Sequence, residues 1–187
     1  MKPPHSNSLI LVWRVAAFEA RHLNSSTIEP AHLFLGLCKV VDLDLLELVS
    51  KDAPDRDEIL EELLREVRRL RTIFRVAGVD AKKLRRHLRR ASPAGRFSLA
   101  ESGRVRRSSA AKEIFDDAEH FAQIANAAVY PVHLLYATLL SDDKDRDEIM
   151  VELNIGKKRL LSVTKHDVLT FQVGSVSATR AARTRWN

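Results

Sequence analysis

The chain of 187 residues is poor in several residue types that characterise secreted and metal-binding proteins. It has one cysteine, Cys38, inside the apolar stretch LFLGLC, so no disulfide framework can form and the thiol is predicted to be a small core residue. Glycine and proline occur six times each, and aromatic residues make up 6% of the chain. With 45% hydrophobic and 30% charged residues, the composition is globular and favours helices over sheet.

Long hydrophobic runs are also missing. The N-terminal stretch LILVW ends at Arg14, far short of the ~20 apolar residues that a membrane-spanning helix needs. It is also shorter than the apolar part of a secretory signal. We therefore expect a soluble protein in the cytoplasm, with no membrane partner.

Common catalytic motifs are absent as well. A phosphate-binding loop has two glycines five residues apart followed by Lys and Ser or Thr, and no two glycines of this chain have that spacing. The patterns HExxH, CxxC and GxSxG are missing too. The sequence therefore predicts a protein that is not an enzyme, with no catalytic residue, no metal site and no cofactor.

Apolar residues recur at three- and four-residue spacing along most of the chain, which predicts a series of helices. These cover residues 8–23, a stretch beginning at Pro30, and residues 43–49, 55–77, 81–90, 109–124, 131–140, 145–153 and 157–165. Gly, Pro and Ser accumulate at 91–108, which predicts a linker between a first unit, 8–90, and a second unit, 109–165. Together they form a domain of residues 1–165, and 166–187 is predicted to be a flexible basic tail.

The two units share a short sequence pattern. "TIEPAHLFLGL" in the first and "AVYPVHLLYATL" in the second align 101 residues apart, with no gap between residues 17 and 37. The shared residues are Pro30 and Pro131, His32 and His133, and Leu33 and Leu134. Beyond this stretch the first unit has about thirty extra residues. A repeated helical unit that cannot bury its apolar face alone is expected to stack on its copy.

These two stretches, with their flanks "EARHLN" and "AEHFAQIAN", resemble the two repeats of the Clp N-terminal domain. The resemblance implies an all-α, pseudo-twofold bundle of two four-helix repeats, about eight helices in all. The extra residues imply that the first repeat is elaborated by an extra or extended helix. The resemblance further implies a non-catalytic role in docking proteins, the partner being a Clp-type unfoldase, an adaptor or a substrate.

Two departures from the family pattern affect this expectation. The family commonly has a glutamate before each histidine, and in some members these glutamates recognise a guanidinium, including phosphorylated arginine. Here Ala31 and Val132 stand in those places. No carboxylate is therefore present to pair with a guanidinium group, so a guanidinium ligand such as phosphorylated arginine is disfavoured. We retain both as candidate partner-binding positions. No ATPase motif accompanies the repeats, so the chain is not expected to unfold proteins by itself.

The two histidines allow a functional and a structural interpretation. As a functional pair, His32 and His133 would hold a metal or exchange protons. As a structural pair, each ring would pack on the core and bond the backbone at the turn before its helix. The repetition favours the structural interpretation, because each copy needs the same local bond.

A block of positive charge forms the third feature. Residues 80–107 contain ten Lys and Arg against two Asp and Glu, a net charge of +8 in a chain whose total is +6. Three interpretations stay open: a solvated helix face, a surface for an acidic protein, or a nucleic-acid site. The candidate partner-binding residues are Lys82, Lys83, Arg85, Arg86, Arg89 and Arg90. The long helix at 55–77 is expected to pack in the core, with a docking or dimer surface as the alternative.

Overall fold

The computed structural model describes residues 2–50, 54–92 and 105–170, and helices dominate this part of the chain. The helices are α1 (Asn7–His22), α2 (Pro30–Val40), α3 (Leu45–Leu48), α4 (Arg56–Ala77), α5 (Ala81–Ala91), α6 (Ser109–Ile124), α7 (Pro131–Leu140), α8 (Lys144–Glu152) and α9 (Lys157–Thr170). Two strands of two residues each, β1 (Thr27–Ile28) and β2 (Arg106–Arg107), complete the described elements. The predicted all-α fold is confirmed. None of the helices in the described ranges has the length and apolarity needed to cross a membrane.

The packing of the helices repeats between the two halves. The contact of α1 with α2 has its counterpart in α6 with α7, and that of α2 with α5 has its counterpart in α7 with α9. Two pairs of contacts between the halves also correspond. The contact of α1 with α7 has its counterpart in that of α6 with α2, and the contact of α4 with α9 has its counterpart in that of α8 with α5. The central helices α2 and α7 contact each other. This reciprocal pattern is the predicted pseudo-twofold arrangement.

The residues just before the first helix of each half pair with the backbone of the other half. Strand β2, just before α6, pairs in parallel with β1 in the first half. Residue His5, just before α1, forms a parallel bridge with Val129 in the second half. Thus Arg106 and Arg107, which the sequence assigned to the linker 91–108, belong to the folded unit. Residues 93–104 lie outside the described ranges.

The first repeat is the elaborated one, as predicted. Its helix α4 has 22 residues where the corresponding α8 has nine, and it adds the single turn of α3. Both α4 and α8 are followed by a left-handed residue, Gly78 at φ 76° directly after α4 and Asn154 at φ 55° two residues after α8. The apolar side of α4 is buried, as expected for core packing, and α4 contacts α1, α7 and α9.

Three details of the sequence prediction are wrong. Helix α3 covers four residues rather than 43–49. Helix α9 continues to Thr170, so the tail predicted from 166 begins at least five residues too early, and Val168 is buried. The ungapped alignment also fails inside the first helices. The left-handed residues Asn24 and Asn126, which follow α1 and α6, are 102 residues apart, because the first loop holds one additional residue.

Candidate functional site

The repeated histidines bond the backbone at the start of the two central helices. His32 Nδ1 accepts a hydrogen bond from the backbone N–H of Glu29 at 2.9 Å, and His133 Nδ1 accepts one from Tyr130 N–H at 3.0 Å. Each histidine is the third residue of a helix that begins with proline, whose missing N–H costs nothing at that position. The geometry is the local bond that the structural interpretation requires.

Burial favours the neutral form of both rings. His32 is 5% exposed and His133 is fully buried. Burial lowers the pKa of His32, and it lowers the pKa of His133 to about 4, where the nearby Arg69 cation adds to the effect. Within the described ranges no group of three or more His, Cys, Asp or Glu side chains could hold a metal ion. The arrangement supports folding, since Nδ1 of each ring is already occupied by the backbone.

The positions before the histidines differ from what a binding pair needs. Val132 is 1% exposed, so its nomination as a partner-binding residue is wrong. Ala31 is half-buried at the start of α2 and presents only a methyl group. The residue before α2 is Glu29, whose Oε1 accepts a hydrogen bond from Thr27 Oγ1 at 2.5 Å. In the second repeat the buried Tyr130 takes that place, so the two helix starts offer different chemistry.

Two cations of the basic helix α5 form internal ion pairs. Arg89 donates from Nε and Nη2 to both carboxylate oxygens of Glu19, at 2.7 and 2.5 Å. Burial alone would raise the pKa of the fully buried Glu19 carboxyl, but Arg89 and Lys39 outweigh it, and the pKa is lowered. Arg85 pairs with Asp42 at 3.5 Å. Both arginines therefore hold α5 in place within the first repeat, and their role in binding a partner stays a prediction.

The remaining cations of α5 face solvent. Leu84 and Leu88 are buried, and the exposed residues on the other side of the helix are Lys82, Lys83, Arg86 and Arg90. The sequence contains one signal that separates Arg85 and Arg89 from the exposed cations, which is their spacing relative to the leucines. Positions 85 and 89 each follow a buried leucine by one residue, so they lie at the edge of the packed face.

Arg146 is fully buried, which the sequence analysis did not predict. Arg146 donates from Nη2 to Ser141 O at 2.8 Å, from Nη1 to Thr138 O, and from Nε to Asp147 Oδ1 at 2.9 Å. It thereby satisfies carbonyl groups at the end of α7, which have no partner within the helix. Its sequence context, KDRDE, looks like a solvated charged helix and gives no sign of burial.

Comparison with known proteins identifies the fold. No family model and no curated protein sequence matches the chain. The Hsp104 N-terminal domain from Candida albicans is 15% identical, with a TM-score of 0.60 over 86% of this chain and 89% of that chain. The N-terminal domain of the caseinolytic protease associated chaperone ClpD from Arabidopsis thaliana is 15% identical, with a TM-score of 0.56 over 88% and 94%. The chain thus has the fold of these N-terminal domains, which confirms the resemblance at the level of the fold.

Proposed function

We propose that this chain is a non-catalytic module that docks other proteins, and that it acts with a Clp-type unfoldase as an accessory or adaptor protein. The observation that carries the proposal is the double-repeat fold, which matches N-terminal domains of two chaperones over 86% and 88% of the chain. N-terminal domains of this kind dock substrates and adaptor proteins, and we extend that role to this chain.

The chemistry of the reactive side chains supports a non-catalytic role. Nδ1 of His32 and of His133 accepts a backbone hydrogen bond, so that nitrogen is not free to act on a substrate. The only thiol of the chain, Cys38, is fully buried, and burial raises its pKa to about 12, which keeps it protonated and unreactive.

The outer face of α5 is the docking surface that we propose for the partner. Lys82, Lys83, Arg86 and Arg90 are exposed there, and the helix is held in place from the other side by the pair of Arg89 with Glu19. A cationic face on a firmly packed helix fits an acidic protein surface, since charge complementarity guides association and sets specificity.

The test measures binding of the purified chain to a purified Clp-type unfoldase and to its adaptor proteins. We expect wild type to bind one of them and the Lys82→Glu, Arg86→Glu variant to lose at least ten-fold in affinity. The matched control is Lys158→Glu, Arg159→Glu, which reverses the same two residue types on the exposed start of α9 and should bind like wild type. If wild type binds none of these proteins, the link to Clp is wrong.

The exposed cations of α5 also favour a second candidate, a regulator that binds nucleic acid. Its signature would be an affinity that falls steeply with salt, because phosphate contacts release counterions. Lys82→Ala with Arg86→Ala should then weaken binding, whereas substitution of Arg85 or Arg89 would disturb the fold. Unchanged electrophoretic mobility of DNA and RNA with the protein at low salt would exclude this candidate.

A further inference from the structure

Residues 68–76 of α4 and the nine residues of α8 occupy equivalent places in the two repeats. Both helices are followed by a left-handed residue, Gly78 or Asn154, whose N–H bonds the helix end in the same pattern. Both pack against the last helix of the opposite repeat, α4 on α9 and α8 on α5. The two sequences therefore align 76 residues apart, and Arg68 corresponds to Lys144.

The exposed faces of these two segments carry opposite charge. On α4 we define the basic face as Arg68, Thr72, Arg75 and Val76, all exposed. The equivalent residues of α8 are Lys144, Glu148, Val151 and Glu152, also exposed, and we call them the acidic face. Lys144 pairs with Glu148 at 3.7 Å, so Glu152 leaves this face with a net charge of −1, and the neighbouring Asp142 and Asp145 add further negative charge.

Each face also has exposed apolar residues. Val76 is 46% exposed on the basic face, and Val151 is 78% exposed on the acidic face. Within the described ranges, neither Arg68 nor Arg75 forms an ion pair or a side-chain hydrogen bond. Two exposed helix faces of similar length and opposite charge, each with one exposed valine, are complementary in the way that protein interfaces require.

We infer that the chain associates with a second copy of itself, the basic face of α4 in one copy packing against the acidic face of α8 in the other. The association depends on salt, because its charges are exposed and are screened as ionic strength rises. It is weak, since one helix face per copy buries less surface than a standard stable interface. Self-association does not need a Clp component, so it stands or falls separately from the proposed function.

The experiment uses the full chain and measures weight-average mass by sedimentation as the protein concentration rises. For wild type we expect the mass to rise above that of a monomer at about 0.1 M salt, where the Debye length is about 10 Å, and to fall back at about 1 M. The variants Arg68→Glu, Arg75→Glu and Glu148→Lys, Glu152→Lys should each stay monomeric. Mixed in equal amounts, they should associate again, because the native and the reversed faces are complementary in the mixture.

Matched controls separate this contact from a general effect of charge. Glu113→Lys, Asp117→Lys on the exposed side of α6 and Lys158→Glu, Arg159→Glu on α9 should associate like wild type. Circular dichroism of every variant should show the helical content of wild type. The inference is overturned if wild type stays monomeric at every concentration and salt, or if the mixed variants do not recover. A monomer that instead binds an acidic peptide through Arg68 and Arg75 would also overturn it.

Discussion

The two repeats share their backbone hydrogen bonds but differ in how they hold their helices together. Glu19 in α1 is a buried carboxylate paired with Arg89 of α5. Its equivalent in α6, 102 residues later, is Phe121, which packs edge-on against Tyr136 with ring centroids 4.8 Å apart. One structural place is thus stabilised by an ion pair in the first repeat and by an aromatic pair in the second. The backbone bonds are set locally, whereas the side-chain contacts diverged.

The largest expected effect comes from breaking the ion pair that distinguishes the first repeat. Arg89→Ala leaves the carboxylate of Glu19 buried with only Lys39 nearby, and losing one partner of a buried pair costs about 3–5 kcal/mol of unfolding free energy. Urea unfolding at neutral pH measures the loss. Lys165, the exposed equivalent of Arg89 in α9, is the control, since Lys165→Ala should change stability by less than about 0.5 kcal/mol.

A double variant sharpens this comparison. The double variant Glu19→Leu, Arg89→Leu replaces the ion pair of the first repeat by an apolar pair, as the second repeat has at the equivalent place. It should recover most of the stability lost in Arg89→Ala, because an apolar pair can replace a buried ion pair. A single Arg89→Ala variant that unfolds like wild type would show that the pair contributes nothing.

The next effect concerns the two capping histidines and pH. The pKa of His133 is lowered to about 4, first by burial and then by Arg69, whereas the unfolded chain has about 6.5. The unfolded state therefore takes up the proton first, so this contribution to stability is full above about pH 6.5 and is lost as the pH falls towards 4. This difference in pKa between the folded and unfolded states corresponds to roughly 3 kcal/mol of unfolding free energy.

Unfolding free energies at pH 7 and at pH 5 measure this contribution. His133→Leu should show a weaker dependence on pH than wild type, and His32→Leu should change it less, because Glu29 and Glu19 oppose the effect of burial on the pKa of His32. Equal slopes for wild type and His133→Leu would refute the assignment.

A smaller effect is expected where α1 crosses α2. A Cβ atom on Gly36 would lie 2.9 Å from Val12 O, so Gly36→Ala should cost about 1–2 kcal/mol although alanine favours a helix. The equivalent residue of α7 is the buried Ala137, and Ala137→Gly should cost about 1–2 kcal/mol, because helix propensity falls and a buried methyl group is lost. Thermal unfolding of both variants tests the difference, and a Gly36→Ala variant more stable than wild type would contradict it.

The smallest effect is at the left-handed residues that end α4 and α8. Gly78→Ala should cost about 1 kcal/mol, because a side chain disfavours positive φ. Gly78→Asn should cost less, since Asn154 holds the same conformation in the second repeat. Denaturant unfolding compares the two variants, and a larger loss for Asn than for Ala would argue against the equivalence of the two turns.

Sequence alone predicted the features that depend on near neighbours. Pro30 and Pro131 mark helix starts, Asp80 caps α5 by accepting a hydrogen bond from Lys83 N–H, and Gly78 ends α4. These signals act within one helical turn, so the sequence records them directly. The sequence alignment of α1 with α6 was wrong by one residue. The first repeat has one additional loop residue between Asn24 and Ile28, and nothing in the sequence marks it as an insertion.

Only the tertiary structure decided which charged residues lie inside. The leucines beside Arg85 and Arg89 place these two at the edge of the packed face, but nothing in the sequence indicates that Arg89 reaches Glu19, 70 residues away, while Arg86 and Arg90 face solvent. The same holds for Arg146, which is buried because α7 ends beside it. The helices and the repeat were thus determined by local sequence. The pairing of charges was determined by helix packing, because a long side chain is buried only where another element supplies the partner that offsets its desolvation.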